Sequence, residues 1–428
     1  MPPKKSAVEE TDKKTKHTRY MTAAERREMF LKSEKEAKPD FHVLKSDDRE
    51  ELVPYGMITL DNVLGLGGIG FRGRVSQIHG NEGAGKSTLT YAIAANFQKY
   101  TGEPLADYDF ERTGTVPFIA RVGVDPDLCH FEQPDNVQKC VQDTVNQLLR
   151  GVRFFIYDSI PRMKTKVALQ DIKNGNAFKE FGGNHARTMG NFFDILLPYF
   201  AEYNAHMLMV NQTRDRIEEG TDAANAQKYP TFTNLPYSLP GGKICRFTPS
   251  VMTELKLIKG LKPNEGKEGE DPWLIEPATD ATQGKIVVNQ VRARALKNKV
   301  TGNGYREGFV FVRPGIGIDE NMAIRYYARQ YDLIRWLGKK WVVGTDDKTI
   351  ATFENKTEAI EKLVIKPDIT IMDSLKKLTA QLIDSDEATK FTTNVSASLA
   401  TLVEGVEDVP EADDVEVSAK SKAFELED

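Results

Sequence analysis

From about Leu52 onward, short apolar runs alternate with helical stretches. Val75–His79 precedes a helical pattern over Ser87–Tyr100, and Phe154–Tyr157 precedes another over Asn184–Tyr203, before a further run at Met207–Val210. Near-continuous apolar runs predict strands covered on both faces, and their alternation with helices predicts an α/β fold with a mostly parallel sheet. Val251–Leu257 and Lys285–Ala295 alternate more and predict later strands. Between them, Lys259–Gly284 is rich in Gly, Pro, Glu and Asp and predicts a hairpin excursion. A compact α+β piece with Trp336 and Trp341 is expected over Asp319–Leu382.

The two ends read differently. Residues 1–20 are Lys-rich and poor in apolar side chains, which predicts a disordered arm. Thr22 and Glu25 make a capping box that opens a short helix over Met21–Ala37. Its apolar Met21, Ala24, Met29, Phe30 and Leu31 would need a partner surface. The expected organisation is a basic arm and helix over 1–50 and an α/β core over 51–318. A small α+β C-terminal domain over 319–383 and a disordered acidic tail over 384–428 complete it.

Composition narrows the class. The chain has 428 residues, 40% apolar and 28% charged, enough for two or three domains. It has no run of about 18 apolar residues, so no membrane span is expected. MPPKKSAVEETDKK has no apolar leader core. Cys129, Cys140 and Cys245 are far apart, with no CxxC, which fits a reducing cytoplasm. The net charge of −5 alone disfavours a nucleic-acid coat, but its distribution changes that picture. Thr401–Asp428 holds ten carboxylates against two lysines, and residues 1–400 sum to +3.

Gly80-Asn81-Glu82-Gly83-Ala84-Gly85-Lys86-Ser87-Thr88 matches GxxxxGK[ST] and sits between a predicted strand and a predicted helix. Gly83 and Gly85 let successive N–H groups converge on an anion at a helix N-terminus. Lys86 would meet the β- and γ-phosphates of ATP, and Ser87 would offer its hydroxyl to Mg²⁺. Asp158 ends the apolar Phe154–Tyr157 run and would hold the Mg²⁺ shell through water. Asp109 and Glu111 are two apart, so on a strand they would share a face, and either carboxylate could polarise water toward the γ-phosphate.

These motifs and those that follow resemble the RecA family of homologous recombinases, from about Tyr55 to Leu382. Gly56–Gly70 resembles the segment before the family's phosphate loop, and Asp109-Phe-Glu111 is similar to its Asp-Ala-Glu. The resemblance makes Glu111 the catalytic carboxylate. Arg121–Asp125 and Gln133–Asp135 recur at the family's spacing. Asn211-Gln212 resembles its strand-ending pair, which implies that Gln212 senses the γ-phosphate and signals to the next loop. Gly241-Gly242 with Arg246-Phe247 looks like the protomer-interface stretch. Arg294–Lys299 resembles the motif whose lysines, here Lys297 and Lys299, reach ATP on the neighbouring subunit; two apart, they would project from one face of a strand or its end. Gly315-Ile-Gly317-Ile318 closes the core as in the family. Departures stand beside these matches. Ile119 and Val116 lie near where the family has an aromatic and an acid for adenine, and Pro314 replaces another aromatic. The pattern looks like a divergent, phage-encoded member.

Two long segments follow ATPase strands. Lys164–Arg187 carries Lys164, Lys166 and Arg187, and Thr213–Pro240 carries Arg214, Arg216, Lys228, Tyr229, Phe232 and Tyr237. Asp215, Glu218, Glu219 and Asp222 make the second read as ordinary surface on composition alone. The resemblance implies that both are DNA-binding loops, with basic side chains on phosphates and aromatics between bases.

The expected protein is therefore an ATP- and Mg²⁺-dependent recombinase of DNA recombination and repair. It would form a helical homo-filament on single-stranded DNA, pair it with homologous duplex DNA and hydrolyse ATP in a DNA-stimulated way. Mediator or single-strand-binding proteins are implied partners, in the cytoplasm at a nucleoid or phage replication compartment, with no membrane. The alternatives are a hexameric helicase on the same core and a nucleotide-dependent DNA-binding regulator without strand exchange. A tethered acidic tail would compete with DNA for basic loops. Removing the residues after Thr401 is expected to tighten duplex binding several-fold at low salt, as read by fluorescence anisotropy. Unchanged binding would leave the tail a solubility role.

Overall fold

The structure, a computed structural model, describes residues 51–165, 183–215, 235–265 and 271–404, the last stretch by its backbone alone beyond Asp386. The expected arm and helix, Lys166, Arg216, Lys228, Tyr229, Phe232 and residues 405–428 lie outside the described residues.

A short ribbon of β1 (Leu52–Val53) and β2 (Ile69–Gly70) precedes the wound part. There β3 (Arg74–Gly80) leads to α1 (Lys86–Thr101), β4 (Leu105–Asp109) to α2 (Val116–Val122), and β5 (Cys129–Glu132) to α3 (Val137–Leu149). Then β6 (Phe154–Asp158), α4 (Gly183–Glu202) and β7 (His206–Gln212) follow. A second ribbon joins β8 (Arg214–Asp215) to β9 (Tyr237–Ser238). After α5 (Ile244–Phe247) come β10 (Val251–Leu261), β11 (Val288–Asn298), β12 (Glu307–Arg313) and β13 (Gly317–Ile318).

The main sheet has nine strands in the order β13-β12-β11-β10-β3-β7-β6-β4-β5. It is parallel from β10 through β5 and antiparallel from β10 through β13. Strand periodicity explains the unbroken apolar runs. Phe154 and Ile156 enter the core under α1, while Phe155 and Tyr157 enter the core under α3 and α4. Strands β4 and β5 were not legible as apolar runs, because Asp107 and Asp109 interrupt the first and His130 and Glu132 the second.

The C-terminal part has α6 (Glu320–Gln330), a three-stranded sheet of β14 (Ile334–Leu337), β15 (Lys340–Gly344) and β16 (Thr349–Phe353), then α7 (Lys356–Ile360) and α8 (Ile369–Glu404). Its core is shared with residues from earlier in the chain: Ile58, Trp273, Ile275, Val288 and Phe311 are buried in the same cluster as Met322, Leu363 and Leu375. The Lys259–Gly284 excursion thus contributes core residues, and the Trp273 ring lies 4.5 Å from that of Trp341. Helix α8 continues to Glu404, past the expected start of the disordered tail at 384. The sequence from Asp368 to Glu404 contains no Gly or Pro to stop it. No helix among the described residues is long and apolar enough to cross a membrane.

Arg325 ties this arrangement together. It is 1% exposed, and its guanidinium donates to the carbonyls of Trp273 (2.8 Å), Leu363 (2.8 Å) and Leu274 (3.2 Å). A methionine would fill the space and leave three carbonyls without that donor. Arg325→Met is expected to cost about 3 kcal/mol and to lower the melting temperature, measured by calorimetry. An unchanged melting temperature would refute the clamp.

Candidate functional site

The phosphate loop leaves the carboxyl end of β3, and its neighbours there are set by register. Gly80 stands beside Gln212 on β7, and Asp109 on β4 stands beside Asp158 on β6. Parallel strands place all these carboxyl ends on one edge, where ligands of open α/β sheets bind. Gly80 must lack a side chain, since a Cβ would run into the Leu255 carbonyl oxygen of β10. Gly85 has φ 77°, the left-handed turn that aims the backbone into α1. Glu82 is exposed on the loop, Ala84 is buried under it, and Thr88 follows in the first turn of α1.

Lys86 is almost enclosed, and its Nζ donates to the Asn81 carbonyl at 2.8 Å. Burial lowers its pKa, while Asp158, Glu111 and Glu82 oppose the shift. The Ser87 hydroxyl donates to Asp158 Oδ2 at 2.7 Å. Asp158 Oδ1 is buried with no hydrogen-bond partner among the described residues. A hydroxyl beside an orphaned carboxylate oxygen is the donor set that Mg²⁺ and its water shell would satisfy, so the residues fit the ion. Burial pushes the Asp158 carboxyl up to about 7; Glu111 and Asp109 add to this, and Ser87 and Lys86 oppose it.

Glu111 and Asp109 do not share a strand face. Strand β4 ends at Asp109, whose carboxylate accepts from the backbone N–H groups of Arg112 (2.8 Å) and Gly114 (2.9 Å) and from Gln133 Nε2 (3.1 Å). Asp109 thus braces the turn after the strand. Glu111 lies within that turn and faces the phosphate loop's other neighbours. Its Oε1 accepts from Gln212 Nε2 at 2.6 Å and from Ser159 Oγ at 2.5 Å. Ser159 was not foreseen, and its only signal was adjacency to Asp158. Thr213, the residue after β7, donates from Oγ1 to Asn81 Oδ1, which links that strand end to the phosphate loop. Asp107, also unforeseen, is fully buried; burial and Asp158 hold its carboxyl well above the usual range.

On helix α2, Ile119 is a core residue and Val116 is exposed, while the Phe118 ring between them is half-buried and T-shaped against Tyr91 at 6.0 Å. From the same helix, Arg121 Nη1 donates to the Gly315 carbonyl at 2.9 Å.

The remaining expected residues lie elsewhere. Lys297, on β11, stands level with Gln77 in the middle of β3, and Lys299, just past the end of β11, lies nearer the start of β3, whereas the phosphate loop leaves its far end. Their surroundings differ. Lys297 is 8% exposed and donates to the carbonyls of Phe247 (2.7 Å) and Arg246 (3.3 Å). Burial, then Lys299, pushes its ammonium down to about 8. Lys299 is exposed, on a turn where Asn298 Oδ1 accepts from the N–H groups of Val300 and Thr301. Phe247 is 50% exposed at the end of α5. Lys164, Arg187 and Arg214 are exposed. Tyr237 is not free for bases, because its hydroxyl is turned in to His79 at 2.9 Å.

The folded pKa of Asp158 stands above its unfolded value of 3.8, so the folded chain holds that proton more tightly. This contribution to stability is complete below about pH 4, declines as pH rises and is gone above about pH 7. Asp158→Asn is therefore expected to stabilise the nucleotide-free chain at pH 8 by up to about 4 kcal/mol, with less than half that gain at pH 5. Thermal melts at the two pH values test this; equal gains would refute it.

Comparison with known proteins places this geometry in a family. The RecA N-terminal domain family matches residues 41–307, more than half of the chain. RecA of Leifsonia xyli subsp. xyli is 27% identical over 330 residues, covering 76% of this chain and 80% of its own. RecA of Helicobacter hepaticus is 26% identical over 345 residues, covering 80% of this chain and 88% of its own. The chain belongs to the RecA family.

Proposed function

We propose that this chain is an ATP-dependent recombinase that assembles head-to-tail on single-stranded DNA and exchanges strands with homologous duplex. The bond between Glu111 and Gln212 carries the reading. It joins the carboxylate best placed to activate water to the last residue of β7, immediately before the second loop. A switch between nucleotide state and DNA affinity needs such a shared contact.

Bound with Mg²⁺, ATP would supply the γ-phosphoryl group to be hydrolysed. The phosphate loop and Lys86 would bind it, and Ser87 and Asp158 would hold the ion. Glu111 orients and deprotonates water, and Ser159 keeps the carboxylate in place when Gln212 turns to the γ-phosphate. Lys297 and Lys299 serve the neighbouring protomer's nucleotide, a reading supported by the exposure of Lys299 past the end of β11, toward the start of β3 and away from its own phosphate loop. Arg246 and Phe247 join that interface, tied to Lys297 by its carbonyl contacts. The exposed Lys164, Arg187 and Arg214 contact DNA phosphates.

Glu111→Gln keeps an acceptor for Gln212 and Ser159 but removes the base. It is expected to reduce ATP turnover by ~10²-fold or more while leaving filaments visible by electron microscopy. Lys86→Ala should impair nucleotide-dependent assembly. The parent should show DNA-stimulated hydrolysis and form joint molecules. An ATPase indifferent to DNA, without joint molecules, would sink the reading, and closed hexamers would indicate a ring motor.

A further inference from the structure

The second loop is held at both ends. At its start, Gln212 reaches Glu111 and Thr213 reaches Asn81. At its return, Asn211 Nδ2 donates to the Pro240 carbonyl at 3.1 Å, and the hydroxyl of Tyr237 meets His79 Nε2 at 2.9 Å. Arg214 and Asp215 pair with Ser238 and Tyr237, so both ends form one ribbon.

His79 directly precedes Gly80, where the phosphate loop begins. The ring is buried, and its Nδ1 has no hydrogen-bond partner among the described residues, so Tyr237 is its polar anchor. Burial, then Lys86, holds its pKa down to about 3, so it stays neutral. Glu254 stands beside His79 in register on β10 and faces the same phenol. Beyond it, Arg292 Nη2 lies 3.9 Å from Glu254 Oε2. Leu235, Leu239, Met252 and Leu296 form the apolar patch that Tyr237 crosses. A purely apolar side chain would pack on that patch but could not reach His79 or Glu254.

We propose that Tyr237 is a positioning residue that latches the returning arm of the second loop to the strand bearing the phosphate loop. Nucleotide occupancy then reaches the loop by two routes, one through Gln212 and one through His79 and Tyr237. The proposal rests on the function proposed above, in which this loop contacts DNA.

The test is hydrogen exchange of residues 235–240 in the full chain, with and without a non-hydrolysable ATP analogue and Mg²⁺, in the absence of DNA. In the parent, nucleotide should slow exchange there about fivefold or more, as a latched ribbon requires. In Tyr237→Phe, which keeps the ring, that slowing should vanish while nucleotide affinity stays within about twofold. DNA stimulation of ATP turnover should then fall several-fold with the basal rate unchanged. Glu254→Gln should weaken the nucleotide effect in the same direction. Equal nucleotide-dependent protection in parent and Tyr237→Phe would overturn the latch. So would a variant that only melts earlier and loses basal and stimulated turnover in proportion. A parent ATPase indifferent to DNA would sink the recombinase reading alone, because the exchange experiment judges the latch without DNA.

Discussion

Charged side chains converge at the carboxyl ends of β3, β6 and β4, and each would be costly there alone. Lys86 is nearly enclosed; the Asp158 and Glu111 carboxylates offset part of the cost of burying its ammonium. Asp158 in turn has one oxygen held by Ser87 and one without a partner among the described residues. Such a set is stable only while its charges balance, and a cationic ligand together with a polyanion changes that balance directly. The parallel sheet exists to bring these groups together. Without the register that sets Gly80 beside Gln212 and Asp109 beside Asp158, none would meet.

The same sheet separates the two halves of the chemistry. Strand β11 runs antiparallel to β10, so its end, with Lys299 just beyond it, points away from the edge where the phosphate loop leaves β3. Lys297 donates to the carbonyls that close α5, while Lys299 is exposed. The two lysines therefore have distinct environments despite their spacing: one braces Phe247 and the other reaches outward.

How much of this was readable from sequence depends on how local the cause was. The phosphate loop, its strand and its helix were legible because glycines, a lysine and an apolar run adjoin in sequence. So was Asp158 at its strand end. The roles of Asp109 and Glu111 were not separable, since the strand stops between them and a two-residue spacing carries no sign of that. Helical phase, which the sequence leaves open over so short a helix, decides that Ile119 enters the core while Val116 stays exposed. Ser159, Thr213 and the His79–Tyr237 contact depend on pairings between distant strands, which no local pattern encodes. The extent of α8 was misjudged because composition was weighed above the absence of helix breakers.

The segment around Ile58 is completed from the other end of the chain. The N–H of Ile58 donates to Glu320, Lys376 reaches the Gly56 carbonyl and Glu320, and Asn62 meets Asp384. Ile58 itself lies in the second core with Leu375 and Ile383. During synthesis this early segment must wait, unsatisfied, until more than three hundred later residues have left the ribosome. Contacts of such sequence separation close late and slow the search for the native state. The last helix therefore sets when the first part of the fold becomes permanent.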